Sequence, residues 1–169
     1  MRRVLALLFV AAGHLGAQLP SLSAPLPKDP AVISGRLPNG VRYFIRRNAK
    51  PEKRAELRLV VNAGSILERD DQRGLAHFVE HMAFNGTQRF PKAAIVNYLE
   101  RIGVRFGADL NASTSFDETI YQLTIPTDTA RLLNTGLDIL EDWAHNVSFD
   151  AAEIAKEREI GRASCRERV

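Results

Sequence analysis

The alternation of apolar and polar residues predicts five strands and four helices between residues 32 and 158. Apolar residues at every second position are typical of half-buried strands, and apolar residues three and four apart are typical of helices. The strands are expected at 32–37, 41–47, 55–63, 106–113 and 118–125. The helices are expected from 75 to about 85, at 92–102, at 128–145 and from 151 to about 158. This order predicts an α+β fold, a two-layer sandwich whose mixed, mostly antiparallel sheet carries helices on one face.

Short-range signals support several of these elements. Asn39-Gly40, between the first two strands, is typical of a β-hairpin turn, and Asp150 is a typical N-cap for the last helix. The loop 64–73 carries three acidic side chains, which we interpret as solvated: Glu68, Asp70 and Asp71. An apolar stripe at helical spacing is interpreted as core: Leu132, Leu133, Leu137, Leu140 and Trp143.

The most informative stretch is 74–87, GLAHFVEHMAFNGT. Its polar residues His77, Glu80 and His81 fall on one side of an otherwise apolar helix, because residues three and four apart are neighbours. Two imidazoles and a carboxylate are costly to bury without a partner, and a divalent metal would satisfy all of them. Two neutral imidazoles suit zinc, while the carboxylate could hold the attacking water.

The spacing H-x-x-E-H is only moderately specific, since the chain contains four histidines. It is the zinc-peptidase motif H-E-x-x-H in inverted order. In that chemistry His77 and His81 bind zinc and Glu80 acts as the general base. The motif alone leaves open a helix whose histidines hydrogen-bond to the backbone.

The N-terminus is typical of a secretory signal peptide. Residues 1–17 combine two arginines, a short apolar run and small residues, with cleavage expected after Ala17. The alternative, a transmembrane anchor, is disfavoured because the apolar run is too short to span a bilayer. Residues 18–30 are rich in Pro and are interpreted as a linker or wrapping arm. We therefore expect an exported protein, periplasmic or secreted, without a stable membrane anchor.

The last ten residues, 160–169, are interpreted as non-native. Their sequence, IGRASCRERV, resembles the translation of a common sequencing adapter, whereas the alternative is an ordinary basic tail. Such segments are excluded from fold reasoning, which leaves 31–159 as the folded domain. The lone cysteine, Cys165, lies in this tail, so the remaining chain offers neither disulfides nor thiol catalysis.

Net charge gives no support for nucleic-acid binding. The whole chain carries a formal charge of +3, but segments 1–17 and 160–169 each contribute +2, which leaves −1 for the rest. The high isoelectric point therefore comes from two segments outside the expected domain, and no nucleic-acid partner is expected.

Three blocks of sequence resemble the N-terminal domain of the pitrilysin (insulinase) family of zinc peptidases. They are GLAHFVEHMAFNGT, RIGVRFGADLNASTSFDETIYQL and FDAAEIAKERE, and the resemblance covers about residues 33–159. It implies a pitrilysin-like fold, zinc ligands His77 and His81, and Glu80 as general base. Zinc, rather than manganese or cobalt, follows from this resemblance and not from the spacing.

The resemblance also implies roles for residues outside the motif. Asn111 and Ala112 match an edge strand that pairs with the backbone of an extended peptide substrate. Phe84 matches an aromatic residue lining the site, and Glu157 matches a carboxylate that supports a zinc ligand. The alternatives are a turn residue for Asn111, plain core for Phe84 and a solvated helix face for Glu157.

The chain departs from the family at the third zinc ligand. The family has a Glu seven residues beyond the position of Glu157, where this chain has Ser164. The resemblance therefore implies a truncated zinc endopeptidase that lacks its third metal ligand and its later homologous domains. Two alternatives remain: a non-catalytic structural or partner subunit of the same fold, and a different metallohydrolase or lyase on a related sheet.

Overall fold

The protein is described from a computed structural model, which covers residue 25 and residues 27–166, with side chains up to residue 159. The predicted signal peptide, most of the predicted linker and the side chains of the predicted non-native tail lie outside these residues. The chain divides into two compact units, residues 1–48 and 49–169, which are described separately.

The described part of the first unit forms a β-hairpin. Strand β1 (Val32–Arg36) pairs antiparallel with β2 (Arg42–Arg46). The amide of Leu37 donates to the carbonyl of Val41 at 2.8 Å, and Gly40 has a φ of 92°, a left-handed conformation that favours glycine. The hairpin predicted from Asn39-Gly40 is confirmed.

The second unit is built on a three-stranded antiparallel sheet in the order β3-β5-β4. Its strands are β3 (Arg54–Val61), β4 (Leu110–Thr114) and β5 (Thr119–Pro126). In the register, Leu57 lies opposite Leu123, and Ala112 lies opposite Tyr121. Strand β5 is therefore central, and β4 is an edge strand of this sheet.

Four α-helices accompany this sheet. They are α1 (Leu75–Met82), α2 (Ala94–Arg101), α3 (Ala130–His145) and α4 (Ala151–Arg166). The carboxylate of Asp150 accepts hydrogen bonds from the amides of Ala152 and Glu153 at 2.9 and 3.2 Å, as predicted for an N-cap. The α+β class and the antiparallel pairing are confirmed.

The core lies between the helices and one face of the sheet. On β5, Tyr121, Leu123 and Ile125 are buried, and they alternate with half-buried residues. Helix α3 approaches closely at Gly136, where an added Cβ would lie 2.5 Å from Ile125 Cδ1. Glycine thus allows α3 to pack directly on the sheet.

Three sequence predictions were wrong in detail. The strand expected from Phe106 begins only at Leu110, because residues 105–110 form turns in which Gly107 donates to the carbonyl of Leu110. Leu137, predicted as core, is 50% exposed, and Ile139 is fully buried instead. Helix α4, expected to end near residue 158, continues to Arg166, since no proline interrupts it.

Within the part of the chain that the structure describes, no helix has both the length and the apolar character needed to cross a membrane.

Candidate metal centre

Helix α1 carries the three predicted site residues and is anchored at its N-terminus by Glu68. The two carboxylate oxygens of Glu68 accept the amides of Gly74 and Ala76 at 2.8 and 2.7 Å. These backbone hydrogen bonds lower the pKa of Glu68. The interpretation of Glu68 as a solvated loop residue is therefore wrong: it satisfies N–H groups that a helix start leaves unpaired. Asp70 and Asp71 do form exposed local ion pairs, with Arg73 and Arg69.

The helical spacing brings the two imidazoles together. Nε2 of His77 and Nε2 of His81 are 3.0 Å apart, and the ring planes are perpendicular. Two Zn–N bonds of about 2.0–2.1 Å at a tetrahedral angle would hold their nitrogens about 3.3 Å apart. The two histidines therefore fit a single zinc ion bound through both Nε2 atoms, with little adjustment.

Glu157, on α4, contacts the far side of the His81 ring. Its Oε1 lies 2.6 Å from Nδ1 of His81, and its Oε2 accepts the side-chain amide of Asn85 at 2.7 Å. An ionised carboxylate can only accept, so Nδ1 of His81 donates and Nε2 is left as the ligand atom. Burial alone would raise the pKa of Glu157, but the hydrogen bonds from His81 and Asn85 outweigh it and lower the pKa.

Glu80 is buried beneath the two exposed histidines, with 7% of its surface accessible. Its Oε2 accepts a hydrogen bond from the hydroxyl of Thr114, the last residue of β4. Burial, and then the negative charge of Glu80, raise the pKa of Tyr121 to about 12, so this phenol is neutral at physiological pH. The helix thus presents two ligands to solvent and keeps one carboxylate below them.

The other predicted site residues lie on two neighbouring elements. Phe84, just after α1, is half-buried, and its ring centroid lies 5.4 Å from that of Trp143 and 5.9 Å from that of Phe106. Asn111 is exposed on the edge strand β4, where its Oδ1 accepts the amide of Ala112 at 3.0 Å. Phe84 therefore packs on the core, and Asn111 and Ala112 lie on β4, which pairs with β5 alone among the described strands.

Sequence reasoning missed the contributions of Asn85 and Thr114. The sequence pattern places Asn85 only at the expected end of a helix, and it gives Thr114 no role. Their partners are 72 and 34 residues away in the chain. No local pattern encodes such contacts; a polar residue directly after an apolar helix and another at a strand end were the only signals.

Among the described side chains, His77, Glu80 and His81 are the single group of three or more potential metal ligands. One ligand atom from each lies within 4.8 Å of the other two. The two imidazoles suit zinc, and the Glu80 carboxylate lies close beside them. The side chain at position 164, where the resemblance expects a third ligand, is outside the described residues.

An antiparallel sheet covered by helices, with an inverted H-x-x-E-H helix against its edge strand, defines the class of inverted-motif metallohydrolases. Comparison with known sequences agrees. The profile of the family described as "Insulinase (Peptidase family M16)" matches residues 43–168, and the chain belongs to this family.

Similar proteins are named as zinc proteases. The chain is 41% identical to the probable zinc protease PqqL of Haemophilus influenzae over 144 residues, which are 85% of this chain and 16% of that protein. It is 48% identical to the zinc protease PQQL-like of Arabidopsis thaliana over 124 residues, 73% of this chain and 13% of that protein. The chain thus spans about a sixth or less of the length of these relatives.

A solved structure shows the same fold. The crystal structure of the first half of the periplasmic protease PqqL from Escherichia coli matches with a TM-score of 0.80 at 40% identity. The match covers 85% of this chain and 31% of that one.

Proposed function

We propose that this chain is the N-terminal, zinc-binding part of an exported zinc-dependent endopeptidase. The observation that carries the proposal is the 3.0 Å approach of the two Nε2 atoms beside a buried carboxylate. The names of the relatives support zinc and proteolysis, and the E. coli relative is described as periplasmic. The signal-like sequence 1–17 supports export.

The residues of the chain take the following roles. When bound at His77 and His81, zinc supplies a Lewis acid that makes water acidic enough to ionise near pH 7. Glu80 takes a proton from the attacking water as general base. Glu157 holds the ring of His81 in place through Nδ1, which keeps Nε2 directed at the zinc site.

The substrate is a peptide or an extended protein segment. An extended chain can add to the free edge of β4 by backbone hydrogen bonds at Asn111 and Ala112. Phe84 offers an aromatic surface close to α1. Backbone pairing of this kind recognises extended conformation more than sequence, which suits an endopeptidase acting on unfolded segments.

The 169-residue chain by itself is expected to be inactive. Zinc sites of this class use three protein ligands, and the resemblance places the third at Ser164. The matched segments make up only 16% and 13% of these relatives, so we expect the complete enzyme to have further partners for this domain, either homologous domains on the same chain or a separate subunit. We therefore expect weak zinc binding and no peptide cleavage by this chain alone.

The test compares the full-length protein, its Glu80→Gln variant and the 169-residue chain. General-base catalysis contributes about 100- to 10,000-fold, so Glu80→Gln should lower kcat by that factor and leave zinc content unchanged. The matched control is Glu100→Gln, on the exposed end of α2, which should keep full activity.

Three measurements test the proposed function: zinc stoichiometry, cleavage of an unfolded test protein, and cleavage by the short chain. A zinc-loaded full-length protein without cleavage would favour the structural-subunit alternative. Full activity in Glu80→Gln would overturn the general-base role. Tight zinc binding and cleavage by the short chain would overturn the proposed truncation.

A further inference from the structure

The carboxylate of Glu80 has a hydrogen-bond partner at only one of its two oxygens among the described residues. Its Oε2 accepts a hydrogen bond from the hydroxyl of Thr114, while Oε1 has no hydrogen-bond partner among the described residues. Among the described residues no buried side-chain oxygen lacks a hydrogen-bond partner, so Oε1 accounts for part of the exposed 7% of Glu80 and is open to water. The two oxygens are therefore distinguished by their surroundings.

The proton of Thr114 is available for this bond. The neighbouring hydroxyl of Thr119 lies opposite Thr114 in the β4–β5 register and donates to the carbonyl of Ala63 at 2.9 Å. A hydroxyl has one proton, so the 3.5 Å separation between the hydroxyls of Thr119 and Thr114 is a secondary contact. Thr114 is free to donate to Glu80, and its own oxygen faces Thr119.

The direction of the Thr114 hydroxyl is fixed by the backbone. Threonine is branched at Cβ and therefore restricted at χ1, and Thr114 is the last residue of a paired strand. Beyond it, the carbonyls of Ser115 and Phe116 accept the amides of Ser65 and Ile66 at 3.1 and 2.8 Å. The two residues that follow Thr114 are thus held by backbone hydrogen bonds, so the position of Thr114 is fixed as well.

We propose that Thr114 is a positioning residue for Glu80: its hydroxyl holds Oε2 and leaves Oε1 as the oxygen that receives the proton from water. This inference rests on the proposed peptidase function. It places the general base in fixed register with the edge strand β4, on which Asn111 and Ala112 lie, so that a substrate added to this edge is aligned with the base.

The main test is kinetic and uses the full-length protein. Thr114→Val keeps the shape and removes the donor, and it should lower kcat about 10- to 100-fold with KM and zinc content unchanged. Thr114→Ser restores the donor without the χ1 restriction, and it should recover most of this loss. Thr129→Val, at an exposed threonine outside the site that makes no side-chain cap hydrogen bond, is the matched control and should retain wild-type kinetics.

A second test needs no activity. In the metal-free 169-residue chain, Thr114→Val leaves the buried Glu80 carboxylate without its donor and should lower Tm by about 5 °C. In a Glu80→Leu background the same substitution should leave Tm unchanged within about 1 °C, because the partner is gone. Equal Tm losses in both backgrounds would overturn the pairing of Thr114 with Glu80.

The outcomes separate this inference from the proposed function. If Glu80→Gln is inactive and Thr114→Val has wild-type kcat, only the positioning role is overturned. If Glu80→Gln is active, the proposed general base is itself overturned. Loss of zinc or a raised KM in Thr114→Val, without rescue by serine, would show that Thr114 supports the fold or the substrate and would overturn its action through Glu80.

Discussion

Two polar centres, one at Asp142 on α3 and one at His77 and His81 on α1, differ in how their hydrogen bonds are completed. At Asp142, on α3, the carboxylate is fully buried and accepts four donors from this chain. At His77 and His81, exposed nitrogens face each other. The first centre is complete within the described residues, and the second is arranged for a partner from outside.

The donors to Asp142 show what a completed centre requires. They are the Thr87 hydroxyl at 2.7 Å, the Arg89 amide at 3.0 Å, the Arg89 guanidinium at 3.0 Å and the Asn146 amide group at 3.0 Å. Together with the bond from Trp143 Nε1 to the carbonyl of Ala83 at 3.1 Å, they fasten the segment after α1 to α3. The Asp142 centre therefore fixes the helix that carries the metal-binding residues.

Replacing Asp142 should have the largest effect on stability. Asp142→Asn removes the charge paired with Arg89 and brings an NH₂ group among donors, so we expect a loss of about 2 to 3 kcal/mol in the free energy of unfolding. Urea unfolding of the metal-free chain measures it. The matched control is Asp138→Asn, one turn earlier on α3 and exposed, which should change stability by less than about 0.5 kcal/mol.

Equal stability of the two variants would contradict the distinction drawn between the centres. So would a loss of zinc affinity in Asp142→Asn that persists at temperatures where the variant is fully folded. In that case the Asp142 centre would act on the metal site and not only on the fold.

Replacing Glu157 should have a smaller effect, and on the metal and not the fold. Glu157→Gln keeps hydrogen-bonding capacity toward His81 and Asn85 but removes the charge, so zinc affinity should fall about 10- to 100-fold. The free energy of unfolding of the metal-free chain should change by about 1 kcal/mol or less. Competition with a chromogenic chelator, on the full-length protein, measures the affinity.

Glu153→Gln is the control for Glu157→Gln. Glu153 lies one turn earlier on the same helix, and its ion pair among the described side chains is with Lys156, at 3.8 Å. Its substitution should leave zinc affinity unchanged. Equal affinities of Glu157→Gln and wild type would mean that the contact with Nδ1 of His81 does not orient a ligand.

The sequence predicts a centre well when the contacting residues are close together in the chain, and poorly when they are far apart. The helix α1, its two histidines and Glu80 come from residues within five positions, so a local pattern was sufficient. Asp142 was not singled out, because its partners Thr87 and Arg89 are 55 and 53 residues away. The apolar stripe on α3 indicated a buried face, but a buried aspartate within that face cannot be distinguished from a solvated one by periodicity alone. The prediction for Glu68 was wrong for a different reason: its partners Gly74 and Ala76 are close in the chain, but the contact depends on how the loop folds back.

Lowering the pH should gradually reduce the contribution of Asp142 to the free energy of unfolding, an effect smaller than those of the substitutions above. Burial alone would raise the pKa of Asp142, but the hydrogen bonds from Thr87, Asn146 and Arg89 and the charge of Arg89 outweigh it and lower the pKa. The unfolded chain therefore binds this proton more readily, and the contribution of Asp142 is complete above about pH 4 and declines as the pH falls through its folded-state pKa. Asp142→Asn has no such proton to bind, so its deficit in unfolding free energy against wild type should be constant between pH 7 and 5 and shrink below about pH 4.

Urea unfolding of both chains across this range measures the deficit. The contributions of the other carboxylates are the same in both chains and cancel in the difference. A deficit that stays constant to pH 3 would show that the pKa of Asp142 is the same in the folded and unfolded chains, and a deficit that grows as the pH falls from 7 would show that the carboxyl is protonated in the folded chain. Either result would contradict the lowered pKa.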